Sequence, residues 1–271
     1  MLSSDERDPV RELLDAVARV LEAGQTAALA TFISGEIPVG TKVFIERTGD
    51  TTGTLTDSDI NRVLVDLALK FLDSRKNVKV FSLRDAASSV EGSVLFERIE
   101  PERRIVICGA GHVGAALARL GSALGFKITL IDDRYEFVAA ERFPEEHIAL
   151  CAAENWDQSV RNAIGNGHGI SVAIVTRGHN QDEECLRAAL TAQPDYVGMI
   201  GSKRRTNIVL ERLRQSGIEE EKLKAVRAPI GLDIGAVTPE EVALSILAEI
   251  VAERRSGRGG SLSAWRREHV R

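Results

Sequence analysis

The sequence lacks the features that mark secreted, membrane-spanning and nucleic-acid-binding proteins. Its 271 residues include three cysteines, and no CxxC pair or Cys/His spacing typical of a metal site occurs. No apolar run reaches the roughly 20 residues of a membrane helix, and the acidic start has no apolar segment typical of a signal peptide. A net charge of −5 argues against a broad basic surface for nucleic acid. We therefore expect a cytoplasmic protein with reduced thiols and no bound metal, nucleic acid or membrane.

The first part of the chain predicts a small α+β domain over residues 1–99. An amphipathic helix at 9–23 and a second helix near 57–73 accompany several β-like runs. These runs lie at 27–33, 42–46, 77–83 and 93–99. The polar, proline-containing segment that follows predicts a domain boundary near residue 100.

From Arg104 onward, short apolar strands alternate with amphipathic helices. The predicted strands are 104–108, 127–132, 147–151, 171–176, 196–200 and 224–228. The predicted helices are 112–124, 135–141, 155–164, 180–191, 203–216 and 239–254. Strands that are apolar throughout need helices on both faces, which indicates a doubly wound parallel sheet. We expect an α/β protein with a Rossmann-type ligand-binding domain over residues 100–256 and a mobile tail over 257–271.

The first strand of this domain ends in a GxGxxG motif made by Gly109, Gly111 and Gly114. In a strand–turn–helix unit, such glycines allow a tight turn, close approach of a pyrophosphate and close helix packing. The second strand ends at Asp132, about 20 residues on, where an acid binds a ribose hydroxyl in dinucleotide-binding proteins. The sequence therefore predicts a phosphate-bearing ligand at this turn.

Three later strand ends also carry polar residues. Arg177, His179 and Asp182 follow the fourth strand, although Asn180 could simply cap the next helix and leave His179 solvated. Gly201 and Ser202 follow the fifth strand and precede a run of cations that ends in Arg204 and Arg205. Cations are unfavourable in the first turn of a helix, so a bound anion would explain them. The loop with Gly231 and Asp233 is either a ligand lid or a plain connector.

These motifs together resemble one family. The segments GAGHVG, IDDR, RGHNQD, GMIGSKRR and PIGLDIGAVTPEEVALSILAEI occur in order between residues 109 and 250. They are similar to the XdhC/CoxI family of accessory proteins, which serve molybdenum hydroxylases such as xanthine dehydrogenase and carbon monoxide dehydrogenase. The resemblance implies a chaperone that binds molybdenum cofactor, as molybdopterin or its dinucleotide form, and assists its insertion into the apoenzyme.

The resemblance also implies partners and a ligand site. The implied partners are a molybdenum hydroxylase apoenzyme and a sulfur donor, and a homodimer is compatible with the fold. No catalytic residue is expected, because no GxSxG elbow or Walker lysine is present. The residues expected to hold the cofactor are Gly109, Gly111, His112, Gly114, Asp132, Arg134, Arg177, His179, Asp182, Gly201, Ser202, Arg204, Arg205, Gly231 and Asp233.

Two other functions share the glycine motif and stay open at this point. The first is an NAD(P)-dependent oxidoreductase, with His179 or Asp182 as a proton donor. The second is a nucleotide-sensing regulatory module that catalyses nothing. Binding of NAD(P) would favour the first, and a change of oligomeric state on adding nucleotide would favour the second.

Overall fold

The computed structural model describes residues 8–53, 58–74, 76–84, 90–165 and 167–263, with His179 described by its backbone alone. The chain divides into two compact units between Pro101 and Glu102. Within the described ranges, no helix combines the length and apolar character needed to cross a membrane. Most of the predicted tail, 264–271, lies outside the described residues.

The N-terminal unit is built on a five-stranded antiparallel sheet with the order β3-β2-β1-β5-β4. Its elements are α1 (Pro9–Glu22), β1 (Ala27–Gly35), β2 (Lys42–Glu46), β3 (Thr51–Gly53), α2 (Ser58–Asp73), β4 (Val78–Ser82) and β5 (Gly92–Ile99). Successive side chains of a strand point to opposite faces of the sheet. Ile45 therefore packs with Leu64 of α2, whereas its neighbour Phe44 packs with Val20 of α1.

The C-terminal unit is a doubly wound α/β domain with five parallel strands in the order β10-β9-β6-β7-β8. The strands are β6 (Arg104–Cys108), β7 (Lys127–Asp132), β8 (Ile148–Ala152), β9 (Ile170–Ile174) and β10 (Tyr196–Met199). The helices are α3 (His112–Ala123), α4 (Trp156–Ile164), α5 (His179–Ala192), α6 (Lys203–Gln215), α7 (Glu220–Ala225) and α8 (Pro239–Arg254). This architecture confirms the predicted fold class.

Helices cover both faces of the parallel sheet, as its apolar strands require. On one face, Ile105 and Ile107 of β6 pack in a cluster with Leu117 of α3 and Ile246 of α8. On the other face, Val106 packs in a cluster with residues of α4, α5 and α6. The central strand is therefore buried on both sides, and its ends are the places where it can meet a ligand.

Two predicted elements are wrong. The predicted strand at 224–228 is not a strand: Glu220–Ala225 forms α7, because its Glu, Lys, Leu and Ala residues all favour a helix. Arg227 instead forms an isolated bridge with Gly198, so extended backbone covers the outer edge of β10. The predicted helix at 135–141 forms two short 3-10 helices, Tyr135–Val138 and Ala140–Arg142. Pro144 follows them, and the residue before a proline avoids helical conformation.

Candidate functional site

The candidate site lies where the strand order reverses. Chain connections run outward from β6 in one direction to β7 and β8, and in the other to β9 and β10. In open α/β sheets, ligands bind at the carboxyl ends of the strands beside such a reversal. The sheet therefore positions the segments after β6 and β9 next to each other, together with the turn after β7.

The three glycines of the turn after β6 have different surroundings. Gly109 has a φ of 110°, and a Cβ atom there would lie 2.6 Å from the carbonyl oxygen of Val175. A Cβ atom on Gly114 would overlap the carbonyl oxygen of Gly109. Gly111 differs, because a Cβ atom there would meet nothing within 4 Å. Gly109 and Gly114 thus serve packing, whereas Gly111 borders open space at the start of α3.

Helix α3 begins at this open space without a side-chain cap. Its N-cap residue is Gly111, so no side chain accepts a hydrogen bond from the first-turn amides. The first amides of a helix have no partner within the helix and carry partial positive charge. Helix α5 begins in the same way, after Gly178. The start of α3 can therefore donate hydrogen bonds to an anion in the open space beside Gly111.

Asp132, at the end of β7, is 2% exposed and holds the glycine turn. Its Oδ2 accepts from the backbone amide of Ala110 at 2.7 Å and from Nη2 of Arg134 at 2.9 Å. Its Oδ1 accepts from the amide and Nε of Arg134, at 3.0 and 2.8 Å. Burial raises the pKa of Asp132, but the hydrogen bonds from Arg134 and Ala110 lower it more, so the net pKa is below its usual value. Both oxygens of this carboxylate are thus already engaged within the protein.

Asp182 also faces inward. Its carboxylate is fully buried and accepts from Oγ1 of Thr176 at 2.5 Å and from Nε of Arg205 at 2.9 Å, and Nη2 of Arg205 contacts it as well. This pair joins the start of α5 to the start of α6. Asp182 therefore positions Arg205, whose side chain is 24% exposed.

The third carboxylate, Asp133, lies at the surface of the site. Its Oδ2 accepts from Nε2 of Gln181 at 2.7 Å and from Nη2 of Arg177 at 3.4 Å. Arg177 is 56% exposed and Asp133 is 30% exposed. The sequence prediction included Arg177 but missed Asp133 and Gln181. The IDDR segment contains Asp133 and the RGHNQD segment contains Gln181. No sequence pattern predicts that these two residues, 48 positions apart, form a hydrogen bond.

The strand ends enclose a cleft of about 390 Å³. Eight of the predicted ligand residues line it: Gly109, Gly111, His112, Asp132, Arg134, Arg177, Gly201 and Arg205. The sequence prediction missed eight other lining residues: Val113, Asp133, Trp156, Val175, Thr176, Gln181, Ile200 and Pro239. Most of these eight are apolar, so the lining of the cleft is mixed, with both polar and apolar residues.

The structure separates Arg204 from Arg205. Arg204 lies in an open groove along α6 with Asn207, Ile208 and Arg212, and it does not line the cleft. Neighbouring residues on a helix point about 100° apart, and Arg204 and Arg205 accordingly extend to different surfaces. Ser202 caps α6 by accepting from the amide of Arg205 at 3.3 Å.

Two further predicted residues, Gly231 and Asp233, are not among those that line the cleft. Gly231 has a φ of 105°, and its amide donates to Oε2 of Glu249 at 2.9 Å, which anchors the loop to α8. Asp233 is exposed and does not line the cleft. His179 begins α5, and its side chain lies outside the described part of the chain.

Two buried thiols lie near the site. Cys108 precedes the glycine turn, and both Cys108 and Cys185 are fully buried. Burial, followed by contact with Cys108, raises the pKa of Cys185 far above its usual range. A thiol that stays protonated is a poor nucleophile and a poor metal ligand. Among the described residues, no group of three or more His, Cys, Asp or Glu residues could hold a metal ion.

Comparison with known proteins assigns this region to a family. A family model described as the XdhC Rossmann domain matches residues 105–250. Over 228 residues, the chain is 32% identical to the uncharacterized protein YqeB of Escherichia coli K12, covering 81% of this chain and 41% of YqeB. Over 163 residues, it is 33% identical to the molybdenum cofactor insertion chaperone PaoD of the same organism, covering 58% of this chain and 50% of PaoD.

The chain is also similar to a second named relative and to a solved structure. The chain is 29% identical over 163 residues to a protein of Bacillus subtilis 168 that is named as a probable component of xanthine dehydrogenase, covering 60% of this chain and 46% of that protein. It thus spans half or less of the length of these curated relatives. A crystal structure described as a xanthine dehydrogenase from Bacillus halodurans shares the fold, with a TM-score of 0.64 and 23% identity over 92% of this chain and 68% of that one. The family match covers more than half of the chain, including every residue that lines the cleft, and the chain belongs to the XdhC family.

Proposed function

We propose that this protein is a chaperone that binds molybdenum cofactor and assists its insertion into a molybdenum hydroxylase. One observation carries the proposal: the whole ligand cleft lies within the segment that matches the XdhC family. One similar protein is named a molybdenum cofactor insertion chaperone, and another is named as a probable component of xanthine dehydrogenase. These names favour a molybdenum hydroxylase of the xanthine dehydrogenase type as the recipient.

The residues of the cleft fit a cargo with a phosphate or diphosphate tail. The tail would lie against Gly111, where open space adjoins the uncapped start of α3. The apolar lining residues, among them Trp156 and Ile200, offer contacts for the ring system of the cargo. The molybdenum would arrive on its pterin, because the described residues contain no cluster that could ligate a metal. Binding, orientation and release are then the tasks of this chain.

The geometry does not favour a nicotinamide-dependent oxidoreductase. Dinucleotide-binding proteins of the NAD type use the acid after the second strand to bind a ribose hydroxyl. In this chain that acid is Asp132, and its two oxygens accept four hydrogen bonds from Ala110 and Arg134. Asp182, considered above as a proton donor, is buried against Arg205 and has no exposed surface.

The proposal is tested with Gly111→Asp. A side chain fits there without a clash, and aspartate is a favourable N-cap residue, so the variant should fold at least as stably as the native protein. Its carboxylate would occupy the approach of the phosphate and repel it. Gly260→Asp is the matched control, because Gly260 also borders open space and lies outside the cleft.

The three proteins are purified from a host that makes molybdenum cofactor and analysed by native mass spectrometry and metal analysis. We expect molybdenum and a pterin mass in the native protein and in Gly260→Asp, and loss of both in Gly111→Asp. Bound NAD(P) without molybdenum in the native protein would contradict the proposal and support the oxidoreductase or sensor.

A further inference from the structure

The cleft contains three arginines, and each is paired with an aspartate. Arg134 pairs with Asp132, Arg205 with Asp182, and Arg177 with Asp133. An anionic ligand therefore meets charge-balanced pairs in the described part of the cleft. To gain an arginine contact, it must share or replace a carboxylate of the protein.

Two of the pairs are buried and strongly hydrogen-bonded, so a ligand does not separate them easily. Asp132 and Asp182 are 2% and 0% exposed, and each carboxylate accepts at least three hydrogen bonds. Removing arginine from such a carboxylate would leave a buried charge without its partner, which is strongly unfavourable. Arg134 also lies over the ring of Phe137, 3.5 Å from its centroid.

The third pair, Arg177 with Asp133, is more exposed than the other two and is joined by a longer contact. A single contact of 3.4 Å joins Nη2 of Arg177 to Asp133, and the arginine is more than half exposed. Asp133 has another partner, since Nε2 of Gln181 donates to the same oxygen at 2.7 Å, and Nε of Arg134 lies 3.9 Å from its Oδ1. Asp133 would therefore remain hydrogen-bonded if Arg177 moved away.

Arg177 is also placed to reach the phosphate position. It follows Thr176, whose Cα lies 3.0 Å from the point where a Cβ atom of Gly109 would be. Arg177 and Gly111 line the same cleft. A phosphate against the α3 start would thus lie in the region open to this guanidinium.

We propose that Asp133 determines ligand selectivity by competing with the ligand's phosphate for Arg177. This inference rests on the proposed function, and it adds the class of ligand that the cleft accepts. The phosphate groups of the ligand displace the Asp133 carboxylate from Arg177, whereas a neutral ligand leaves the pair in place. The hydrogen bond from Gln181 then holds Asp133 at the solvent-exposed rim of the cleft.

The test is a double-mutant cycle with ADP as the probe and calorimetric measurement of its Kd at low ionic strength. Asp133→Asn keeps the size of the side chain and removes its charge, and we expect it to tighten ADP binding about fivefold. In the Arg177→Gln background, the same change should alter the Kd less than about twofold. Asp73→Asn removes the carboxylate of another arginine pair, Arg47–Asp73, outside the cleft and should leave the Kd unchanged.

The outcomes separate this inference from the proposed function. An unchanged Kd in Asp133→Asn would overturn the inference alone. Equal tightening with and without Arg177 would also overturn it, because simple charge repulsion would then explain the effect. If neither the native protein nor any variant binds ADP or inorganic pyrophosphate, the proposed phosphate site is wrong, and the inference falls with it.

Discussion

Two kinds of aspartate–arginine pair lie at the carboxyl ends of the strands in the C-terminal sheet. Asp182 and Arg205 form a buried pair that joins two helix starts, and Asp132 with Arg134 holds the glycine turn. Asp133 and Arg177 meet at the rim through one long contact. Breaking a buried pair costs about 3–5 kcal/mol, whereas an exposed pair contributes about 0–1 kcal/mol. The same two residue types therefore form buried structural pairs in two places and a weak, exposed contact in the third.

The largest effect is expected from Asp182→Ala. It leaves the guanidinium of Arg205 without its carboxylate and the hydroxyl of Thr176 without its short hydrogen bond. We expect the free energy of unfolding to fall by about 3–5 kcal/mol. Urea unfolding followed by tryptophan fluorescence measures this, because Trp156 and Trp265 both belong to the C-terminal part of the chain.

The control for this experiment is Glu253→Ala, which breaks an exposed pair with Arg227 in the same C-terminal unit. It should change the free energy of unfolding by at most about 1 kcal/mol. Equal effects of the two variants would show that the distinction between buried and exposed pairs is wrong.

A smaller, pH-dependent effect is expected from Asp132→Asn. Folding holds the pKa of Asp132 below its ordinary value of 3.8, so the charged carboxylate favours the folded state. This contribution is complete above the unfolded-state pKa and is lost as the pH falls through the lower folded-state pKa. We expect the variant to be less stable by about 1.5–3 kcal/mol near neutral pH.

The difference between native protein and Asp132→Asn should shrink in acid. Unfolding curves between about pH 6 and about pH 3 measure it. A difference that grows as the pH falls would have the opposite sign and would contradict the charged, hydrogen-bonded state of Asp132.

The smallest free-energy change is expected for ADP binding when Arg177, at the rim of the cleft, is replaced. Arg177→Gln should weaken ADP binding about tenfold, or about 1.4 kcal/mol, through loss of a charged contact. Arg204→Gln, which removes an equal charge from the α6 groove, should change the Kd less than about twofold. Similar losses in the two variants would indicate a general electrostatic effect rather than a specific contact in the cleft.

The sequence predicted the parallel sheet well because its signals are local. The β6 and β7 bounds match the predicted 104–108 and 127–132, since each strand is a continuous apolar run between polar residues. The α8 bounds match 239–254, because Thr238 and Glu241 form a capping box and Pro239 opens the helix. The strand predicted at 224–228 failed because helix-favouring residues form α7 up to Ala225, and the extended backbone after it makes only an isolated bridge from Arg227 to β10.

The candidate site was predicted only in part because its contacts are not local. The turn glycines and Asp132 follow a spacing rule, so the sequence identified them. The pairing of Asp133 with residues 44 and 48 positions later follows no such rule. Arg204 and Arg205 look equivalent in a sequence, and the helix alone directs them to different surfaces.

By itself, the amino-acid sequence determined the strand–helix alternation, the tight turn after β6 and the segments that carry the family resemblance. These depend on local conformational preferences and apolar periodicity, which short stretches of chain contain in full. The tertiary structure alone decided which carboxylate each arginine meets and which arginine remains exposed. Those outcomes depend on strand order and burial, which bring together side chains distant in sequence and set how strongly each charge needs its partner.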